Sequence, residues 1–175
     1  MVKLRLASAI QQDSIVDGPG IRMVIWTQGC EHHCKGCHNP QTHDINGGTL
    51  YEVEDCIRQI KEAPLQSGLT LSGGEPFLQA SALIPIVKAA KEKGLNVWAY
   101  SGFTYEALLE DKEKFALLKL LDVLVDGKFI ESLKDYRLTF KGSKNQRIID
   151  VPASLKQNTV VLSAYDEKNT QLEKL

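Results

Sequence analysis

The stretch QGCEHHCKGCHNP, residues 28–40, holds three of the four cysteines and three of the four histidines in this 175-residue chain. Cys30, Cys34 and Cys37 follow the spacing C-x3-C-x2-C, and Gly29 and Gly36 let the backbone fold tightly around whatever the thiolates hold. Just upstream, RMVIWTQ at 22–28 is an apolar run that stops where the cysteines begin. A loop of soft ligands at the carboxyl end of a strand decides the fold, because ligands of parallel α/β sheets bind beyond the carboxyl ends of the strands.

The same rhythm continues outward from this point. LTLSGG (69–74), NVWAYSG (96–102), DVLVDG (122–127) and RIIDV (147–151) read as further strands. Between them, Thr49 is expected to cap a helix with Leu50, Val53, Ile57 and Ile60 on one face. Residues 77–93 repeat apolar positions through Leu83, Ile84, Val87 and Ala90 until Gly94, and a third helix is expected over roughly 104–121. Strand and helix in alternation predict an α/β domain with a parallel sheet. A complete eight-unit barrel takes about 200–250 residues. Five or six units fit this length, giving a partial, open (β/α) barrel as a single domain over 1–175. NTVVLSAY is expected to form a last strand before a charged, mobile end.

Composition narrows the function classes. Twenty-one basic against 22 acidic side chains argue against a broad electrostatic grip on nucleic acid or anionic lipid. No window approaches the roughly 18–20 apolar residues of a membrane span. These features predict a cytoplasmic protein that binds neither nucleic acid nor membrane, and in that reducing compartment clustered cysteines read as metal-binding or catalytic.

The loop itself allows three readings: a zinc site completed by His33 or His38, an electron-carrier cluster, or a [4Fe–4S] cluster held by three thiolates with one iron left open. Cys56 falls on the expected helix beside Val53 and Ile60 and reads as a small core residue. His32, His33 and His43 read as solvated loop residues. GGEP at 73–76 and VDGK at 125–128 are each compatible with a plain turn.

Taken together, these motifs resemble the radical S-adenosylmethionine (SAM) enzymes, and within them the activases of glycyl radical enzymes. DGPGIR at 17–22, CHNPQT at 37–42 and GSKNQRIIDV at 142–151 are similar to the anaerobic ribonucleotide reductase activating proteins; the resemblance spans residues 13 to about 151. It implies a [4Fe–4S] cluster on Cys30, Cys34 and Cys37, and SAM on its open iron. It also implies that Gly73, Gly74 and Glu75 bind the methionine amino group, Asp126 and Lys128 seat the carboxylate, and Ser101 lines the pocket. The family often has an aromatic before the third cysteine. Here Gly36 stands there, so the backbone from Gly36 through Cys37 to His38 is what remains near adenine. His43 replaces a usual Trp, and Lys141 a usual Arg.

The resemblance further implies reductive cleavage of SAM and hydrogen abstraction from a glycine of anaerobic ribonucleoside-triphosphate reductase, with flavodoxin or ferredoxin as electron donor. Activation of pyruvate formate-lyase, a 7-carboxy-7-deazaguanine synthase-like reaction and a zinc or electron-carrier module remain alternatives at this point.

Overall fold

The structure, a computed structural model that describes residues 1–172, is built on one mixed sheet. Its strands are β1 (Lys3–Leu6), β2 (Gln11–Ser14), β3 (Arg22–Thr27), β4 (Thr49–Glu52), β5 (Gly68–Gly73), β6 (Asn96–Tyr100), β7 (Val123–Asp126) and β8 (Arg147–Asp150). They lie in the order β4-β1-β3-β5-β6-β7-β8, with β2 also on β3. The helices are α1 (Val53–Glu62), α2 (Ala80–Glu92), α3 (Tyr105–Glu110), α4 (Lys112–Leu118), α5 (Val151–Gln157) and α6 (Ala164–Leu172).

Four strands, β3, β5, β6 and β7, run parallel. Their registers, which pair Thr27 with Gly73 and Tyr100 with Val125, bring their carboxyl ends to one side of the sheet. The expected five or six parallel units are therefore not what the chain builds. RIIDV is a strand, but it returns antiparallel on β7, pairing Val123 with Asp150 and Asp126 with Arg147. The reason lies in the connection: a parallel return needs a crossover, usually a helix, to carry the chain back to the start of the sheet. Between β7 and β8 the one helical element is the 3-10 turn Glu131–Leu133, so the chain turns at the carboxyl end and comes straight back.

Alternation along the strands divides the sheet into two faces. Met23, Ile25, Leu69, Leu71, Val97, Ala99 and Leu124 form the main core with apolar residues of α1 to α4. Cys56 is fully buried there, as its place on the helix predicted. The opposite face carries Trp98, Val125 and Ile148, packed with Phe140 and Tyr165, and leads into the cavity described below.

Three local expectations are corrected. Thr49 caps no helix: residues 49–52 pair with β1, matching Lys3 to Glu52 and Leu6 to Thr49, and the helix starts at Val53. The third helix is two, because the Asp111 carboxylate accepts from the Glu113 and Lys114 N–H groups and starts a new one. The last strand shrinks to one bridge, Ile149 with Leu162, followed by α6, whose Asp166 and Asn169 are buried, so this part of the tail is an ordered helix. Residues 173–175 of the expected mobile end lie outside the described residues. No helix among the described residues is long and apolar enough to cross a membrane.

Candidate metal centre

The turn after β3 carries the cysteines. Gly29 N–H donates to the Thr42 carbonyl at 2.8 Å and Cys30 N–H to that of His43 at 3.2 Å, closing residues 29–43 as a loop over the strand end. Gln28 braces its base, its side-chain amide donating to the carbonyls of Gln41 at 3.2 Å and Asp44 at 2.8 Å. Inside the loop, Cys37 N–H returns to the Cys34 carbonyl, and Asn39 N–H points at Cys37 Sγ at 3.4 Å. Gly29 and Gly36 hold φ of 101° and 72°, in the region that only glycine enters at little cost.

Cys30, Cys34 and Cys37 are all free thiols and line a single cavity of about 390 Å³. Among the described residues, no three His, Cys, Asp or Glu side chains form a group that could hold one metal ion. Three soft thiol donors from one loop, all lining the same cavity, are the kind of ligand an iron–sulfur cluster takes. Burial, together with the nearby Glu75 charge, pushes the Cys30 thiol up; Cys56 is likewise pushed up by burial, on the helix-covered face of the sheet.

The second wall is GGEP. Gly74 N–H donates to the Thr27 carbonyl and Glu75 N–H to that of Gly29, both at 2.8 Å, so the turn after β5 is laced to the cysteine loop. The glycines are required by that approach. A Cβ on Gly74 would stand 2.3 Å from the Gly29 carbonyl oxygen, and one on Gly73 2.5 Å from the Thr27 backbone.

Glu75 itself is 1% exposed and does not line the cavity. Its Oε1 accepts from Ser101 Oγ at 2.9 Å and Phe77 N–H at 3.1 Å; its Oε2 accepts from Gly102 N–H at 2.8 Å and pairs with His32 Nε2 at 2.7 Å. Both oxygens are engaged, so the carboxylate joins three loops at the ends of β3, β5 and β6. His32 is accordingly not a solvated residue. Its side chain is 10% exposed, lies edge-on to Phe103 with centroids 4.6 Å apart, and sits where a Cβ on Gly102 would meet its ring at 2.4 Å.

Of the other expected positions, Gly73, Gly74, Ser101, Cys37 and His38 line the cavity. Gly36 does not; it is exposed and packs against Glu131. Asp126 is buried beneath the rim, accepting from Arg147 and from Tyr105 N–H at 2.7 Å, while Arg147 also holds Glu106. Through this contact Arg147 holds the Glu106 carboxyl below its usual range. Lys128 is exposed at the rim, outside the wall, next to Gly127 and Phe129 that do line it.

GSKNQR clasps this turn. Gln146 accepts from Gly142 N–H at 2.9 Å and donates to the Gly127 carbonyl at 3.0 Å, and the Asn145 amide donates to the Lys128 carbonyl at 2.8 Å. Lys141 points inward, bonding the Gln146 carbonyl and Asp166 of α6 at 3.0 and 3.1 Å.

Arg22, the last residue of DGPGIR, is buried and, among the described residues, has no carboxylate within bonding distance. It donates to Thr70 Oγ1 and to the carbonyls of Pro19, Leu69 and Asn96, and burial pulls its pKa down to about 10. The motif thus anchors the start of β3 and holds Val16 and Asp17 at the cavity. His32, Gln28, Gln146 and the apolar walls Phe129 and Phe140 were missing from the sequence-based site. For Gln146, the setting within GSKNQR was the available signal.

The family described as 4Fe-4S single cluster domain matches residues 16–149. The anaerobic ribonucleoside-triphosphate reductase-activating protein of Vibrio cholerae is 41% identical over 142 residues, covering 77% of this chain and 90% of that protein. The protein of the same description from Haemophilus influenzae is 35% identical with the same coverage. Among solved structures, QueE from Escherichia coli overlaps 58% of this chain and 53% of its own, with 16% identity and a TM-score of 0.48.

Proposed function

Because the chain belongs to the anaerobic ribonucleoside-triphosphate reductase-activating proteins, we infer that its cysteine loop holds a [4Fe–4S] cluster at which SAM is cleaved to activate that reductase. The observation that carries this reading is that three free cysteines of one loop line the strand-end cavity, while Cys56 lies in the core. A cluster held there would supply the one-electron chemistry for reductive cleavage of SAM and, through it, hydrogen-atom abstraction from a glycine of the reductase.

The chain's own residues bind and orient. Cys30, Cys34 and Cys37 would hold the cluster, and the Gln28 brace with the Thr42 and His43 carbonyls fixes their loop. We assign the SAM amino group to the backbone at Gly73 and Gly74, with Glu75 acting through its grip on Ser101, Gly102 and His32. Lys128 at the rim is assigned to the carboxylate and Asp126 to positioning its turn through Arg147. The Cys37–His38 backbone, with His38 tilted against Phe129 at 4.9 Å, is assigned to the adenine side. Phe129 and Phe140 give the cavity part of its apolar lining.

A sheet covered by helices on one face suits a macromolecular substrate. The helices α1 to α4 cover one face of the sheet, and a backbone glycine of a large partner has to reach the other. Flavodoxin or ferredoxin is the assigned electron donor. The reading is tested by iron content and by SAM-dependent release of 5′-deoxyadenosine under reducing, oxygen-free conditions. About four irons per chain and release that requires all three loop cysteines are expected. One zinc per chain, or release that survives loss of a loop cysteine, contradicts it.

A further inference from the structure

On the outer side of the cysteine loop lies a surface for which the reaction has given no use. The 3-10 turn Glu131–Leu133 packs against that loop: a Cβ on Gly36 would stand 2.9 Å from Glu131 Oε1, and Lys35 Nζ is 3.5 Å from Glu131 Oε2. Around this turn Ile130, Leu133 and Tyr136 face solvent, Tyr136 being 88% exposed.

Around them the basic groups Lys35, Lys134, Arg137 and Lys144 outnumber the acidic Glu131 and Asp135. Lys35, the residue after Cys34, has a 91% exposed side chain. Lys134 Nζ lies 4.4 Å over the Tyr136 ring. Arg137 and Lys144 both reach the Asp135 carboxylate and leave it 13% exposed, so cationic groups are outermost. In a chain of net charge −1, this patch is local. An aliphatic and aromatic centre ringed by basic side chains has the make-up of a protein-binding surface.

We propose that this face docks an acidic one-electron carrier protein, which gives up one electron and leaves the cluster reduced by one. The proposal rests on the activase reading above. Electron transfer slows steeply with distance, so a donor must dock close to the cysteines, and the cavity side has to admit SAM and the target glycine. The outer face of the loop is then the near approach left. Lys35 sits on it, one position from Cys34 and two from Cys37. A basic rim selects an acidic partner and speeds its encounter.

The test uses iron-loaded protein carrying Lys134→Glu with Lys144→Glu, and separately Leu133→Ser with Tyr136→Ser. Each is compared with wild type for 5′-deoxyadenosine formation driven by dithionite or by reduced flavodoxin, and for flavodoxin affinity by anaerobic calorimetry. With iron content unchanged, dithionite-driven rates should stay within about twofold of wild type. Flavodoxin-driven rates and affinity should fall about tenfold or more, and the charge variant should lose the salt dependence of binding. Unchanged flavodoxin affinity, or an equal fall with dithionite, overturns the docking surface; a fall confined to reductase activation would assign the face to that partner instead and overturn it too. Wild-type protein that forms no 5′-deoxyadenosine with dithionite contradicts the activase reading itself.

Discussion

His32 Nε2 stands 2.7 Å from Glu75 Oε2, joining the cysteine loop to the turn after β5 through a pair almost wholly out of solvent. Replacing His32 by Ala removes one partner of a buried carboxylate and the edge contact with Phe103. A loss of about 1–3 kcal/mol in stability is expected, read by thermal unfolding under oxygen-free conditions. Faster loss of iron to a chelator should accompany it, since the loop is then held by backbone bonds alone on that side. Unaltered unfolding in His32→Ala would contradict the pairing.

Gly74→Ala tests the lacing of the two walls. The new methyl would press on the Gly29 carbonyl, which sits next to Cys30, at a distance no packing tolerates. The expected outcome is a protein with wild-type far-ultraviolet circular dichroism and strongly reduced iron content. Gly94→Ala serves as control. Its φ of 82° is strained for alanine, yet a Cβ there meets nothing within 4 Å, so stability should drop while iron is retained.

Lys141 and Asp166 form an ion pair with side chains 5% and 7% exposed, between the clasp and α6. Lys141→Ala leaves the Asp166 carboxylate buried without its cation and is expected to cost about 3 kcal/mol. Asp166→Asn combined with Lys141→Met should cost clearly less than the two single changes added together. Denaturant titrations of the four proteins measure the coupling, and simple additivity would show that the pair does not interact.

Alkylation of iron-free protein near neutral pH should separate the four thiols. Cys34 and Cys37 are half-buried and react first; Cys30 is buried with its thiol pushed up, and reacts more slowly. Cys56 is fully buried and also pushed up, so it stays protonated and unreactive until the fold opens. Peptide mass spectrometry reads the order. In keeping with this, Cys56→Ala should retain iron and 5′-deoxyadenosine release; early labelling of Cys56 would contradict its placement.

The strands that position the site were legible because RMVIWT, LTLSG, NVWAY and VLVD are apolar runs that end on turns. RIID has the same appearance, but strand direction is set by the connection, and the helix-poor 128–146 segment sends it back antiparallel. TLYE at 49–52 fits a helix start or a half-buried edge strand; pairing with β1 decides, and a window of four residues does not contain β1. The cysteine loop was readable from spacing. The His32–Glu75 pair was not, since its partners lie 43 residues apart and nothing local marks either as buried. Asp126 and Lys128 looked alike as turn residues, and the fold separates them, one bound to Arg147 beneath the rim and the other in solvent.

The central claim is that this chain places a radical on a glycine of anaerobic ribonucleoside-triphosphate reductase. Its most direct test is electron paramagnetic resonance of that reductase after oxygen-free incubation with the iron-loaded protein, SAM and reductant. A glycyl radical signal that depends on SAM, and that disappears with Cys30→Ala, Cys34→Ala or Cys37→Ala, is the predicted result. Release of 5′-deoxyadenosine with no signal on the reductase, and a signal on pyruvate formate-lyase in its place, would contradict it.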